Sequence, residues 1–234
     1  MVNYSIVIPC YNEAASLPQL LSRLDKIFDC RNDCECILVD NGSSDGTAEI
    51  LSSAVNAHGA WLRTVRVEVN RGYGWGILQG LEAAQGYFLG WTHADLQTDP
   101  ADALKGFALL DTLPGPSRFV KGVRHGRAWA DVFFTVGMSV FETLLFRLPL
   151  WDINAQPTLF SRDLYNLWSD PPHDFALDLY AYALARKQGA SIARFRVDFP
   201  PRQYGTSHWN IDIHSKFKFI RRTVEFSLSL KKRW

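Results

Sequence analysis

Side chains that could bind a nucleotide follow three separate apolar runs in the first hundred residues. The groups are Tyr11-Asn12-Glu13, Asp40-Asn41, and His93-Ala94-Asp95 with Gln97. Carboxylates can accept hydrogen bonds from a nucleobase imide or from ribose hydroxyls. A carboxylate beside a neutral oxygen ligand can hold a divalent metal that bridges a diphosphate. Asp95 and Gln97 have that spacing, because alternate residues of an extended segment point to the same side.

Alternating strand-like and helix-like runs must position these groups. The patterns predict strands at 4–9, 35–39, 62–69 and 87–92, and helices after a capping Ser16, at 47–55 and at 72–84. Such repeats with short loops imply an α/β fold with a doubly wound, mainly parallel sheet. Ligands of these sheets bind beyond the carboxyl ends of the strands. We therefore expect the three groups to meet at one edge.

The second half of the chain is less regular. A basic cluster at 121–127 precedes an apolar stretch at 132–150, which either packs into the core or turns one face to lipid. An amphipathic helix is expected around 175–187 and a strand at 192–199. The basic tail at 214–234 could meet phosphate or an anionic membrane surface, or could be a solvated helix face.

Composition bounds the class of protein. The 234 residues are 47% hydrophobic and 21% charged, which fits a single domain at 1–234, with halves at 1–100 and 101–210 and a helical tail at 211–234. A formal net charge of +1 argues neither for nor against nucleic acid, and no nucleic-acid partner is expected. The four cysteines lack zinc-site spacing. Without a signal-peptide pattern, we expect a cytoplasmic protein, peripheral at the cytoplasmic membrane face if the tail meets lipid.

Four motifs occur in order in the first half: IVIPCYNE at 6–13, VDNGSSDGT at 39–47, NRGYG at 70–74 and ADLQTDP at 94–100. Together they resemble the signatures of the family-2 glycosyltransferases, and most closely those of the dolichyl- and polyprenyl-phosphate sugar synthases. Segments 121–124, 154–160 and 199–207 resemble later motifs more loosely. The resemblance implies a GT-A-type, nucleotide-diphospho-sugar transferase fold with a C-terminal amphipathic helical tail.

The resemblance also implies roles for individual residues at the donor. Pro9, Tyr11 and Glu13 would line the nucleobase and ribose, and Asp40 would contact the base. Asp95 with Gln97 would ligate the metal on the diphosphate, and Arg202 would neutralise the diphosphate charge. The expected nucleotide-binding set is completed by Gly72, His93, Ala94 and Asp95, although Gly72 could equally serve tight packing.

One departure from the family pattern affects the metal. The family usually has Asp-Ala-Asp where this chain has His93-Ala94-Asp95. Histidine can ligate Mn²⁺, but it suits Mg²⁺ poorly. The expected cofactor is therefore a divalent metal, Mn²⁺ or Mg²⁺, with Asp95, Gln97 and His93 as ligands and a higher affinity for Mn²⁺. Alternatively, His93 donates directly to the nucleotide.

The acceptor decides whether a base is needed. Lys121, Arg124 and Arg127, with the apolar stretch behind them, favour a polyprenyl- or dolichyl-type lipid phosphate, whose anionic oxygen needs no base. A saccharide or small hydroxyl acceptor would need a carboxylate base, for which Asp174 and Asp178 are the candidates. The expected reaction transfers a sugar from a nucleoside diphosphate sugar to the lipid phosphate acceptor, with inversion at the anomeric carbon. The expected catalytic residues are Asp95, Asp178 and Arg202.

Two further readings stay open, and one is excluded. The chain could be a non-catalytic nucleotide-sugar-binding module in which His93 marks lost activity, and it could depend on a membrane partner protein. A nucleotide-dependent oxidoreductase is excluded because the first strand lacks the Gly-x-Gly-x-x-Gly turn.

Overall fold

The computed structural model describes residues 1–29, 31–127, 129–200 and 213–234. The strands in that part of the chain are β1 Tyr4–Cys10, β2 Cys34–Asn41, β3 Leu62–Val67, β4 Phe88–Trp91, β5 Arg118–His125, β6 Thr158–Ser161 and β7 Ser191–Asp198. The helices are α1 Leu17–Phe28, α2 Thr47–Ala57, α3 Tyr73–Ala83, α4 Ala101–Thr112, α5 Trp129–Phe146, α6 Arg162–Tyr165, α7 Leu177–Lys187 and α8 Ile213–Arg233.

The strands form one sheet in the order β3-β2-β1-β4-β6-β5-β7. Strand β1 pairs in parallel with β2 and β4, β2 with β3, and β5 with β7. Strand β6 runs antiparallel to both β4 and β5. The other strands described therefore share one direction, and their carboxyl ends meet at one edge, as the alternation of the sequence predicted.

Hydrophobic cores lie on both faces of this sheet. One face packs against α3 and α7 through residues that include Val7, Trp91 and Tyr180. The other face packs against α1, α2 and α4 through residues that include Ile8 and Phe107. Successive strand residues alternate between the two cores, which is why β1 and β2 read as continuous apolar runs rather than alternating ones.

Close packing between α3 and the sheet depends on glycine. A Cβ on Gly80 would overlap the side chain of Val7 and lie 2.9 Å from Cγ2 of Val39. Any larger residue would push α3 away from β1 and β2. Because α3 begins at the sheet edge, this close approach also sets the position of the preceding loop relative to that edge.

The prediction was most accurate in the first half of the chain. Strand β3 ends at Val67, two residues before the predicted end at 69, and Ser16 donates its hydroxyl to Glu13 and makes no side-chain cap on α1. In the second half, β5, β6 and the short α6 were not assigned from the sequence. Strand β5 was read only as a basic cluster, because its buried Lys121 interrupts the apolar pattern.

The apolar stretch at 132–150 packs one face into the core, and contact of the other face with lipid stays a prediction. Helix α5 buries Ser139, Glu142 and Phe146 on one face, whereas Phe133 and Leu144 are 78% and 73% exposed on the other. Within the residues described, no helix combines the length and the apolar character needed to cross a bilayer.

Candidate functional site

The sheet order places the predicted groups side by side at the carboxyl edge. The loops after β1 and β2 lie on one side of the loop after β4, and the end of β5 lies on the other, beyond β6. Tyr11 and Asp40 therefore flank Asp95 from one side, and Arg124 flanks it from the other. This arrangement places two groups of polar side chains on either side of one loop.

The loop after β1 is held to the loop after β2 and the first residue of α2 by five hydrogen bonds, four of which are donated by backbone amides. The backbone amides of Asn12, Glu13 and Ala14 donate to side chains of the second loop at 3.0, 2.9 and 3.1 Å, and the amide of Ser44 donates back to the Asn12 side chain at 2.9 Å. The acceptors in the second loop are Ser43, Thr47 and Asp45. These contacts fix the position of Tyr11, whose ring is 44% exposed at the edge.

Asp40 has one carboxylate oxygen engaged and one without a hydrogen-bond partner in the described structure. Its Oδ1 accepts from the amide of Ser43 at 3.0 Å, whereas its Oδ2 is buried and has only the Arg66 guanidinium, at 3.8 Å. A buried acceptor that lacks a donor is costly unless a ligand supplies one. Asp40 therefore has the chemistry to accept a hydrogen bond from a nucleobase imide.

Gly72 lies in a turn that only glycine adopts readily. Its φ is +117°, and a Cβ there would overlap the carbonyl oxygen of His173. The turn is held by the side chain of Asn41, which donates to the Gly72 carbonyl at 3.0 Å, and by Asn70, which accepts from the Gly72 amide at 2.8 Å. The structure shows the tight packing at Gly72, and its role toward a nucleotide stays a prediction.

The loop after β4 has a strained backbone. Leu96 has a φ of +56°, and a non-glycine residue in that region costs about 1–2 kcal/mol. This conformation lets Oδ1 of Asp95 accept from the amide of Gln97 at 3.1 Å. The side chain of Gln97 donates through Nε2 to the carbonyl of Pro200 at 3.2 Å, so its amide oxygen is the atom with which it could ligate a metal.

A metal would need ligands from outside this loop. Within the described ranges, no three His, Cys, Asp or Glu side chains are grouped closely enough to hold an ion. Asp95 is 5% exposed, and the ring of His93 lies 5.6 Å from that of Tyr73. The carboxylate of Asp95 fits a metal that arrives with a diphosphate, since such ions commonly take one or two carboxylates plus substrate phosphates. The imidazole of His93 suits Mn²⁺ better than Mg²⁺.

Arg124 and Arg127 converge on one buried carboxylate. Arg124 donates to Oδ1 of Asp152 from Nη2 at 2.5 Å, and Arg127 lies 3.4 Å from the same oxygen. Burial would raise the pKa of Asp152, but the charge and hydrogen bonds of Arg124 overcome this effect and hold the pKa below its usual value. The three side chains form a fixed group with a net charge of +1, suited to an anionic oxygen.

Lys121 and Asp178 form a separate buried pair beneath the edge. The ammonium of Lys121 is 0% exposed and lies 3.1 Å from Oδ1 of Asp178, which also accepts from Gln156 at 2.8 Å. Burial lowers the pKa of Lys121 to about 8. Lys121 and Arg124 are three residues apart on β5 and therefore point to opposite faces of the strand. Lys121 thus lies apart from the two arginines with which it was grouped.

A largely apolar cleft runs from Arg124 between α5, α7 and α8. Its walls include Phe134, Met138, Ile153 and Leu179. The cleft has a volume of about 50 Å³, which is small compared with ligand pockets of several hundred Å³. Asn154 also lines it.

Three residues that position the site were not singled out from the sequence. Asp152 orients both arginines, Gln156 donates to Asp178, and Tyr73 stacks on Phe175 at 4.6 Å between ring centres. The sequence offered no signal for them, because each acts through a partner far away in the chain. Arg202 lies outside the described residues.

The sequence model of a family described as "Glycosyl transferase family 2" matches residues 5–151, which is more than half of the chain. The undecaprenyl-phosphate 4-deoxy-4-formamido-L-arabinose transferase of Aeromonas hydrophila is 40% identical over 119 residues, or 47% of this chain and 36% of that protein. The transferase of the same name from Pseudomonas paraeruginosa is 43% identical over 103 residues, or 42% and 29%. The chain thus spans about a third of the length of these curated relatives.

Solved structures share the fold. Glucosyl-3-phosphoglycerate synthase from Mycobacterium tuberculosis, in complex with Mn²⁺, UDP and glucosyl-3-phosphoglycerate, superimposes with a TM-score of 0.71 at 17% identity, covering 98% of this chain and 80% of that one. A mannosyltransferase from Pyrobaculum calidifontis, in complex with GDP-Man and Mn²⁺, gives a TM-score of 0.65 at 21% identity, covering 86% and 58%. These likenesses confirm the predicted GT-A-type fold.

Proposed function

This chain belongs to glycosyl transferase family 2, and from that premise we propose that it transfers a sugar from a nucleoside diphosphate sugar to a polyprenyl-type lipid phosphate, with inversion at the anomeric carbon. The donor binds across the loops after β1, β2 and β4. The acceptor phosphate binds at Arg124 and Arg127. The curated relatives are named as undecaprenyl-phosphate sugar transferases, and these names support a polyprenyl phosphate as the acceptor.

The hydrogen bonding and ion pairing of Asp178 support a phosphate rather than a hydroxyl as the acceptor. Its Oδ1 accepts from Gln156 and is paired with the buried ammonium of Lys121, and the side chain is only 3% exposed. A carboxylate held in this way is a poor general base, because it cannot approach an acceptor hydroxyl without breaking a buried ion pair. A phosphate oxygen is already anionic and needs no base, so the reaction can proceed with Asp178 left where it is.

The arginine group suits the charged part of a lipid phosphate. Arg124 and Arg127 are pre-oriented by Asp152, so a phosphate gains charge-assisted hydrogen bonds with little reorganisation. The small cleft beside Arg124 is lined in part by Phe134 and Met138, so the carbons next to the phosphate would meet apolar side chains.

In the proposed reaction, a phosphate oxygen of the acceptor attacks the anomeric carbon as the bond to the donor diphosphate breaks. The nucleoside diphosphate leaves with the bonding electrons, and the new bond lies on the opposite face of the sugar. Asp95 with His93 and Gln97 would hold a divalent metal, which neutralises the charge that develops on the leaving diphosphate. Asp40 anchors the base, and the hydrogen-bonded loops after β1 and β2 keep the nucleotide in register with the acceptor.

The donor half is tested by calorimetric titration of nucleoside diphosphates, each with EDTA, Mg²⁺ or Mn²⁺. We expect one base to bind best and Mn²⁺ to strengthen its binding. Asp95→Asn should abolish the metal effect. Asp99→Asn is a matched control, because its carboxylate lies four residues away and is turned outward to Arg23 at 2.7 Å. Equal binding with EDTA and with metal would contradict the metal site.

The acceptor half is tested by transfer of labelled sugar from the best donor to a polyprenyl phosphate or to a hydroxyl acceptor. We expect product only with the phosphate. Transfer to a hydroxyl that is lost in Asp174→Asn would favour the alternative acceptor, since Asp174 is the exposed carboxylate beside Phe175. Nucleotide binding without turnover on either acceptor would favour a binding module.

A further inference from the structure

Helix α5 carries an apolar stripe on its outer face, formed by Trp129, Phe133, Gly137, Val140 and Leu144. These residues recur at intervals of three and four, which places them on one side of a helix over about 22 Å. The four side chains are 84%, 78%, 50% and 73% exposed, and Gly137 has open space where a side chain would be. A continuous apolar row on the surface indicates an interaction site, whereas a single exposed apolar residue does not.

Charge is kept off this stripe. The sequence between Val132 and Phe146 contains one charged residue, Glu142. Glu142 is 0% exposed and turned inward, where it accepts a hydrogen bond from the hydroxyl of Ser227 on α8 at 2.7 Å. The outer face is therefore uncharged along almost the whole helix, which is unfavourable for a surface that faces only water.

Exposed cations lie near the C-terminal end of α5. Arg147 directly follows α5 and is exposed. The ring of Trp234 lies 5.7 Å from that of Phe146, which brings the end of α8 beside the end of α5. Lys231 and Lys232, also exposed, precede Trp234. An apolar helix face bordered by cations complements a bilayer with anionic headgroups, where rings and aliphatic chains enter the acyl boundary and cations meet phosphate.

We infer that the stripe on α5, with Arg147, Lys231 and Lys232, docks the protein in the plane of an anionic phospholipid bilayer. The inference rests on the proposed function, because docking would serve to bring Arg124 to an acceptor that lies in the membrane. Phe134 and Met138 of α5 line the cleft at Arg124, beside the stripe. A docked α5 would thus bring the side of the helix that lines this cleft, and with it Arg124, close to the bilayer.

The test is sedimentation of the full chain with vesicles, in the absence of donor and acceptor. Vesicles of phosphatidylcholine with phosphatidylglycerol should bind the protein. Binding should be weaker when salt is added, and weaker to vesicles of phosphatidylcholine alone. Val140→Asp should weaken binding at least about tenfold, because a carboxylate would enter the acyl boundary. Val55→Asp is the matched control, since Val55 is a 40% exposed valine on helix α2, away from α5, and should leave binding unchanged.

Three outcomes would overturn the inference. The first is that neither kind of vesicle binds the protein, and the second is an equal loss of binding in Val140→Asp and Val55→Asp. The third is a dimer in sedimentation equilibrium that Phe133→Asp converts to monomer, which would assign the stripe to a second copy of the chain. Circular dichroism of each variant checks that it is folded. Nucleotide titration of Val140→Asp separates the two proposals, because donor binding should persist when docking is lost.

Discussion

Glu142 should make the stability of the protein fall as pH rises. Its side chain is fully buried between α5 and α8, with Oε1 accepting from Ser227 and Oε2 without a hydrogen-bond partner in the described structure. Burial raises the pKa of Glu142 from 4.5 to about 7, and the hydrogen bond from Ser227 offsets only part of this rise. Glu142→Gln removes the ionisation and keeps an acceptor for Ser227.

The sign and size follow from the two pKa values. Below pH 4.5 the carboxyl is protonated in both the folded and the unfolded chain, so it has no effect on the pH dependence. Between pH 4.5 and 7 the unfolded chain loses the proton first, so the free energy of unfolding decreases. Above pH 7 both states are ionised and the loss is complete. At about 1.4 kcal/mol per pH unit, the total loss is about 3 kcal/mol.

The assay is urea denaturation of the wild type and Glu142→Gln at several pH values from 5 to 8. The variant should gain about 2 kcal/mol relative to the wild type across this range, since other titrating groups cancel in the difference. Glu225→Gln is the control on α8, because Glu225 is exposed and pairs with Arg221 at 2.7 Å. A difference between wild type and Glu142→Gln that stays constant with pH would refute the reasoning.

Two further substitutions test the packing that supports the site. Lys121→Met should cost about 3–5 kcal/mol in the free energy of unfolding, because it leaves the buried charge of Asp178 unpaired, and adding Asp178→Asn should recover much of that loss. Equal urea midpoints for the single and double variants would contradict this account. Gly90→Ala should cost about 1–3 kcal/mol, because a Cβ there would overlap Leu159 in the neighbouring strand. Gly137→Ala, with open space in helix α5, should stabilise by about 0.5–1 kcal/mol, and thermal melts of the two alanine variants should move in opposite directions.

The predicted arrangement at the sheet edge is confirmed for the first half of the chain. The mainly apolar runs Ser5–Ile8 and Ile37–Val39 are followed by Tyr11 and Asp40. The parallel pairing of β1 with β2 brings these two residues to the same edge. This was predictable because the short strands, turns and helices of that half are specified by nearby residues. The roles of the individual side chains toward nucleotide, metal and acceptor stay predictions.

The second half was harder to read because its strands are specified by distant partners. Strand β6, at 158–161, has no local signal of its own, and it becomes a strand by pairing with β4 and β5. Lys121 reads from the sequence as one of a basic cluster. Only the packing of α7 shows that a buried carboxylate on that helix accounts for its charge.

The sequence by itself determined the fold class, the edge at which the chemically capable residues lie, and the family. Local periodicity and turn chemistry act over a few residues, so these features survive without knowledge of the distant contacts. Tertiary structure alone decided that Asp178 is paired with Lys121, that Asp152 holds Arg124 and Arg127, and that α5 turns one apolar face outward. Each of these depends on which groups become neighbours when burial removes water, and desolvation then decides which charges must be paired.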